Sequence, residues 1–592
     1  MGTEKSVPTL KKLLDNEKEA NIARYALERI PGKKVDAALR KALKSTSGNV
    51  QVGIINTIGN RADEKAVSNV SPLLTSENSD VASAAAVALG KIGTVESAEE
   101  LQNALAETQV TADVLHALLK NAEQLADKGR TQQAMEIYNN VRHADAPEGE
   151  KTAIRAASLT GEIRLADEPT TVIIDALTSD LSTECKAVAI SMVHQSQKDL
   201  DLKKIAAVLP DLSSQHQIQL LTAFKVRGDQ SAHEAVRDAV KNANKNVRVT
   251  ALDALSKLGT ASDVELLAQK AATGDQEEQE AARHSLSLIN APGVNDQIVE
   301  LIPDVETKVK IELVRAIGER NMSEAVPTVV SLAQDAENRR VGVEAVKSLG
   351  LVGQPNDLDT AIDILIAAEG RTERRESERM VVAIAKKIEN QDEQGDAVLA
   401  AYNETDDIKA KSSLLQVAGR IGDRDALNVL QNALEQDQEE LRVAAIRALS
   451  EWPTPEPLNN LANLAQNGDT QTERVLALRG YIQLLGLESD RPVEKTVEKY
   501  RKALELAENA NEKRMVMSGL SNVHDVSALL LAAEYLDDPE VKNEAEVAVI
   551  QIGWRVRGDK SPAHKRALMT VKNNTSDKDL KEQAERLLQE FE

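Results

Sequence analysis

The strongest constraint on this chain is a motif that recurs along it. Ser79 to Gly93 reads Ser-Asp-Val-Ala-Ser-Ala-Ala-Ala-Val-Ala-Leu-Gly-Lys-Ile-Gly, and related stretches run from Asn246 to Gly259 and from Glu440 to Trp452. Each has a polar start, apolar residues at helical spacing and a glycine or aromatic stop, so each predicts an amphipathic helix. In the second copy Val247, Ala251, Leu252, Leu255 and Leu258 form the apolar stripe. Variants lie at Lys308–Gly318, Arg340–Gly350 and Lys411–Gly422. Register glycines recur just over thirty residues apart, at Gly59 and Gly90 and again at Gly318 and Gly350. That spacing accommodates two helices of about three turns with short connections, so the unit is a helical hairpin. Turn signals such as Asn467-Gly468-Asp469, Asp537-Asp538-Pro539 and Ser561-Pro562 fall between copies.

An all-α solenoid follows, a right-handed α-α superhelix of about 17 hairpins at about 35 residues each. A chain of 592 residues exceeds what one core supports, and nothing resembling a long linker divides it. Hydrophobic residues are 42% but aromatics only 2%, which leaves Ala, Leu, Val and Ile to fill thin layers between closely spaced helices. Expected segments are 1–109, 110–180, 181–368, 369–407 and 408–592. The second and fourth carry longer and more irregular helices; Ala122–Gly129 and Ala134–Tyr138 have a tetratricopeptide-like look. The stretch Val7-Pro8-Thr9-Leu10-Lys11-Lys12-Leu13-Leu14 reads as the second helix of a repeat whose first is missing, which would expose an apolar stripe of Val7, Leu10 and Leu14. The expectation there is a missing segment, a dimer contact or a frayed end.

The net charge is −23, from 72 Lys and Arg against 95 Asp and Glu, which disfavours a nucleic-acid partner. The run Arg371, Arg374, Arg375, Arg379 is broken by Glu373, Glu376 and Glu378 and reads as a solvated helix face, with no concentrated basic patch elsewhere. Cys185 is alone and reads as a small residue on an amphipathic helix rather than a reactive nucleophile. No run of about 18 apolar residues spans a membrane. The eight histidines include no pair within four residues, so no helical metal-ligand pair is present, and no phosphate-binding loop or nucleophile elbow appears. Metal, cofactor and catalytic residues are all expected to be none. Acidic pairs at Asp406-Asp407, Glu439-Glu440 and Asp537-Asp538 read as helix-start caps.

The pattern at Asp80–Gly93, partly repeated at Asn246–Gly259, resembles the HEAT-like repeats of phycobilisome lyases over nearly the whole chain. Leu478–Leu485, Arg491–Tyr500 and Tyr535–Lys542 resemble the HEAT region of exported bacterial proteins that often continue into a 3-keto-disaccharide hydrolase domain, typical of planctomycetes, verrucomicrobia and Bacteroidetes. That resemblance implies an exported, periplasmic location in a Gram-negative bacterium. The hydrolase sheet itself has no counterpart in this sequence.

Arg248 and Arg442 occupy equivalent places just after a helix start and suggest a ladder of Asp and Arg between repeats. Trp452, Tyr481, Tyr500 and Trp554 stand out in so aromatic-poor a chain and are the candidate partner-binding residues. Trp452 takes the place of Gly in sister repeats and is expected to plug a hairpin end, an exposed anchor being the alternative. The preferred reading is a non-enzymatic scaffold whose second helices line a concave surface for a protein or peptide. The alternative is the repeat portion or accessory subunit of an exported carbohydrate-processing enzyme. A bilin lyase and a HEAT-fold DNA glycosylase are more remote.

Overall fold

The computed structural model describes residues 2–108, 111–335 and 337–591. The expected boundary at 109/110 lies outside the described residues. The described residues hold thirty-six α-helices, several opened by a 3-10 turn, and no strand. The chain divides into two compact units, Met1–Val294 and Asn295–Glu592.

The pairing of the helices corrects the frame of the repeat. The expected hairpin ran from a motif helix such as Ser79–Ile92 into the helix after it. In most of the array the packing runs the other way: a shorter helix leads and the motif helix trails. Leu458–Asn467 packs along Gln471–Leu485, Val326–Ala333 along Arg339–Val352, and Val264–Thr273 along Gln276–Leu288, whereas Glu439–Ser450 barely touches Leu458–Asn467. Most of the thirty-six helices thus pair in chain order into hairpins of a leading and a trailing helix. Val7–Leu13 is accordingly a leading helix, packed on Ala20–Glu28 and Lys33–Leu43. Val7 and Leu14 are buried and Leu10 packs against the same cluster, so the expected bare stripe is covered by the chain's own helices.

In most of the array trailing helices of successive hairpins meet along their lengths, as Gly48–Asn60 does with Ser79–Ile92 and Ile408–Ile421 with Glu439–Ser450, while leading helices meet at few points; in the last three hairpins the two kinds of contact are alike. Small residues permit this approach. A Cβ on Gly59 would lie 2.7 Å from Ala88 Cα, one on Gly90 2.7 Å from the Ala117 carbonyl, and one on Gly419 2.5 Å from the Ala448 carbonyl.

The ends of the trailing helices obey the capping rules. Asn78, Asn244, Asp275, Asp407 and Thr470 accept hydrogen bonds from first-turn amides, and Gly93, Gly228 and Gly422 close helices in the left-handed conformation. Asp407 and Glu439-Glu440 sit at helix starts as expected, while Asp538 instead accepts from the Glu540 amide within a turn, at 3.0 Å. The irregular second segment has long helices, Thr111–Asp127, Thr131–His143 and Lys151–Leu165, and Thr131–His143 packs about equally on both neighbours. Cys185 is buried in Thr183–Gln195.

Candidate functional site

A surface that serves a partner is found by removing the side chains the fold already employs. Two sets of cations stitch neighbouring hairpins together. At the starts of the trailing helices, Arg248 Nε donates to Glu278 Oε1 at 2.5 Å, and its Nη1 donates to the carbonyls of Asn242 and Ala243, each at 3.0 Å. Arg442 repeats the arrangement one-for-one: Nε to Glu473 Oε1 at 2.9 Å, Nη1 to the carbonyls of Gln436 and Asp437 at 3.0 and 2.9 Å. The expected ladder is present, with glutamate in place of aspartate. Glu278 and Glu473 are the third residues of capping boxes begun by Asp275 and Thr470, so each buried carboxylate serves its own helix and the preceding hairpin together. Burial pushes the Glu278 carboxyl up, but the bonds from Arg248 and the Asp275 cap outweigh it and hold the group below its ordinary value.

At the opposite ends, cations cap the carbonyls of the preceding trailing helix. Lys128 donates to Gly93 at 2.9 Å, Arg227 to Val193 at 2.8 Å, and Lys387 to Gly353 at 2.6 Å. The buried His233–Asp263 pair, Nε2 to Oδ2 at 2.6 Å, belongs to the same fabric. Asp263 closes the Thr260 capping box, Arg237 Nε lies 3.2 Å from its other oxygen, and the nearby Ser262 hydroxyl is bonded to Thr260. Among the described residues no group of three or more His, Cys, Asp and Glu side chains is placed to hold a metal ion, and no helix is long and apolar enough to cross a membrane.

The aromatic candidates go largely to the interior. Trp452, Tyr481 and Tyr500 are 2%, 1% and 1% exposed, and side chains so enclosed offer a partner nothing to hold. Trp452, with Pro453, fills the space over Gly422, the plug that its position suggested. The Tyr481 hydroxyl donates to the Lys499 carbonyl at 3.4 Å, and Tyr500 lies against Gly519. Burial pushes both phenols up to about 12. Trp554 is half-buried, and its Nε1 donates to Gln583 at 3.3 Å.

Among the surfaces that remain is a groove of about 850 Å³ across three consecutive trailing helices, Arg371–Ala385, Ile408–Ile421 and Glu439–Ser450. Here the expected solvated face is resolved into two sides. Glu376 and Glu378 turn inward and are paired, the first with Arg375 and Arg379, the second with Arg420 at 3.1 Å. Burial raises the Glu378 carboxyl despite that pairing. Arg371, Arg374 and Arg375 line the groove, together with Lys409, Arg420 and Arg447. Arg374 donates to the Ala368 carbonyl and reaches Ser413 Oγ at 3.5 Å; the side chains of Arg371, Lys409 and Arg447 make no hydrogen bond or ion pair with any other described residue. Of the groove's carboxylates, Glu369 is paired with Arg339 at 2.7 Å and Glu378 with Arg420, leaving exposed Glu440. The basic patch that linear inspection did not find is made by juxtaposition. One signal was readable: Ile408–Ile421 carries Lys409, Lys411 and Arg420 and no acid at all, in a chain of net charge −23.

A family model described as HEAT repeats matches residues 37–123, 202–287, 295–381 and 395–482, more than half of the chain. The chain belongs to the HEAT repeat family. Each HEAT match begins in a leading helix or beside one and ends in a trailing helix, the frame that the packing defines. No curated protein matches the chain. Among solved structures, a HEAT-like likeness is found to the karyopherin Kap121p bound to the extreme C-terminus of the protein phosphatase Cdc14p, at 12% identity and TM-score 0.33, covering 99% of this chain and 75% of that one. Importin beta in a polyethylene glycol condition gives 11% identity and TM-score 0.34, covering 99% and 100%.

Proposed function

We propose that this chain is a non-enzymatic scaffold that holds a protein or peptide partner on its trailing-helix face. The observation that carries the reading is the division of labour among its charged side chains. Arg248, Arg442, Lys128, Arg227 and Lys387 are committed to caps and inter-hairpin ladders, whereas the side chains of Arg371, Lys409 and Arg447, also near helix ends, stand in one groove with no structural bond. The chemistry-bearing pair with the most enzyme-like geometry, His233 and Asp263, is spent on capping and hairpin contact, which supports the non-enzymatic reading.

The test is capture of a partner from native extract, followed by hydrogen exchange of the purified complex. Protection concentrated on trailing helices is the expected result. Absence of any stoichiometric partner, or protection confined to leading helices, would remove the proposal. The alternative, an accessory part of an exported bacterial carbohydrate-processing enzyme, rests on the C-terminal resemblance, and the periplasmic location rests there too. It takes second place because three of the four candidate aromatic side chains, Trp452, Tyr481 and Tyr500, are enclosed.

A further inference from the structure

The groove across Arg371–Ala385, Ile408–Ile421 and Glu439–Ser450 also indicates what kind of partner it takes. Three features make it electropositive within an acidic molecule. The first is the side-chain census: six cations, Arg371, Arg374, Arg375, Lys409, Arg420 and Arg447, line it against three carboxylates, of which Glu369 is paired with Arg339, Glu378 with Arg420 and Glu440 is exposed, while Arg375 is bonded to Glu376 and Arg420 also to Glu451. The second is the absence of internal counter-charge, since the side chains of Arg371, Lys409 and Arg447 bond to no other described residue. The third is placement. Arg371 opens its helix and Lys409 is the second residue of the next, so both cations stand at the positive ends of helix dipoles, where a carboxylate is the stabilising residue. Glu373 and Asp407 cap those same helix starts, and the cation beside each cap is left for an incoming anion.

The extent of the patch separates the anions that fit. Exposed charges act over about 8–10 Å at physiological salt, so the attraction ends near the groove, and beyond it the ligand meets a molecule of net charge −23. A nucleic acid, charged along its whole length, gains in the groove and loses outside it. A peptide with a few adjacent carboxylates gains only in the groove.

On the scaffold reading, which this inference deepens, we propose that the groove formed by Arg371, Arg374, Lys409 and Arg447 is the docking site for a short acidic peptide segment of a partner protein. The carboxylates take the charge-assisted hydrogen bonds that the fold leaves unmade, and Val443 and Ala444 on the groove wall receive the peptide's apolar atoms.

Fluorescence anisotropy on the full chain tests this with three labelled probes: a short peptide alternating glutamate and serine, the same peptide with glutamine for glutamate, and a single-stranded oligonucleotide of matching negative charge. The acidic peptide is expected to bind, with affinity falling as salt rises, and the glutamine peptide and oligonucleotide to bind at least about tenfold more weakly. The triple variant R371E/K409E/R447E, checked by circular dichroism, is expected to weaken acidic-peptide binding by at least about tenfold. Should charge reversal disturb the helices, R371Q/K409Q/R447Q carries the same test. No binding of the acidic peptide, equal or tighter binding of the oligonucleotide, or unchanged affinity in a folded variant overturns the proposal. If that happens while a captured partner still protects other trailing helices, the scaffold reading stands without this groove; if neither is seen, both fall.

Discussion

At the scale of single residues, the array is held by side chains that serve two hairpins at once. Arg442 is the clearest. Its partner Glu473 is 3% exposed, and removal of the guanidinium leaves that carboxylate with only its own capping amide. Arg442→Ala is expected to lower the local opening free energy of Glu439–Leu485 by about 2–3 kcal/mol, read by native-state hydrogen exchange. An unchanged exchange rate there would show the ladder to be ornamental. The glycines act by absence. Any side chain at Gly419 collides with backbone at Ala448, so Gly419→Val must push two trailing helices apart, at a cost of about 1–3 kcal/mol. The loss should appear in Ile408–Ser450 and leave protection in Met1–Val294 as it was, because hairpins interact with their neighbours.

Among the elements, the last hairpin carries a pH dependence. His564 is fully buried in Pro562–Asn574; its Nδ1 donates to the Asp559 carbonyl at 3.0 Å and its ring meets Phe591 edge-on with centroids 5.1 Å apart. Its Nε2 has no protein partner. Burial lowers the imidazole below its ordinary 6.5, against the pull of Asp559 and aided by Lys560. A group whose folded value is depressed binds its proton more readily when unfolded, so stability is full above about 6.5 and is lost as pH falls from there through the folded value. Exchange in Pro562–Gln589, corrected for intrinsic pH effects, should accelerate on acidification, and His564→Gln should flatten the response. The helices themselves were legible in the sequence, because their 3.6-residue stripes and caps are local. Their pairing was not. Ser79–Ile92 has an apolar stripe that suits either sequence neighbour, and the choice is made by the packing of leading against trailing helices, which no single stripe records. The groove escaped for a related reason: Arg371, Lys409 and Arg447 lie far apart in sequence, and inward rotation of Glu376 and Glu378 is invisible until the helix is docked.

For the whole molecule, stability is a chain of neighbour contacts divided between two compact units, Met1–Val294 and Asn295–Glu592. Both tryptophans, Trp452 and Trp554, lie in the second. Urea unfolding followed by tryptophan fluorescence therefore reports that unit, while far-ultraviolet circular dichroism reports every helix. The two curves are expected to differ in midpoint or breadth, and coincident transitions would mean that the chain unfolds as one cooperative body.

The ladder is also a grammar of assembly. In Gln471–Leu485 two adjacent residues face opposite directions along the array: Glu473 receives Arg442 from the hairpin before, and Arg474 reaches Glu508 in the hairpin after, at 3.2 Å. The hairpin Leu458–Asn467 with Gln471–Leu485 thus carries a socket behind and a plug ahead on one turn of helix, and a copy cut before Leu458 and after Gly486 would arrive with both connectors already in place.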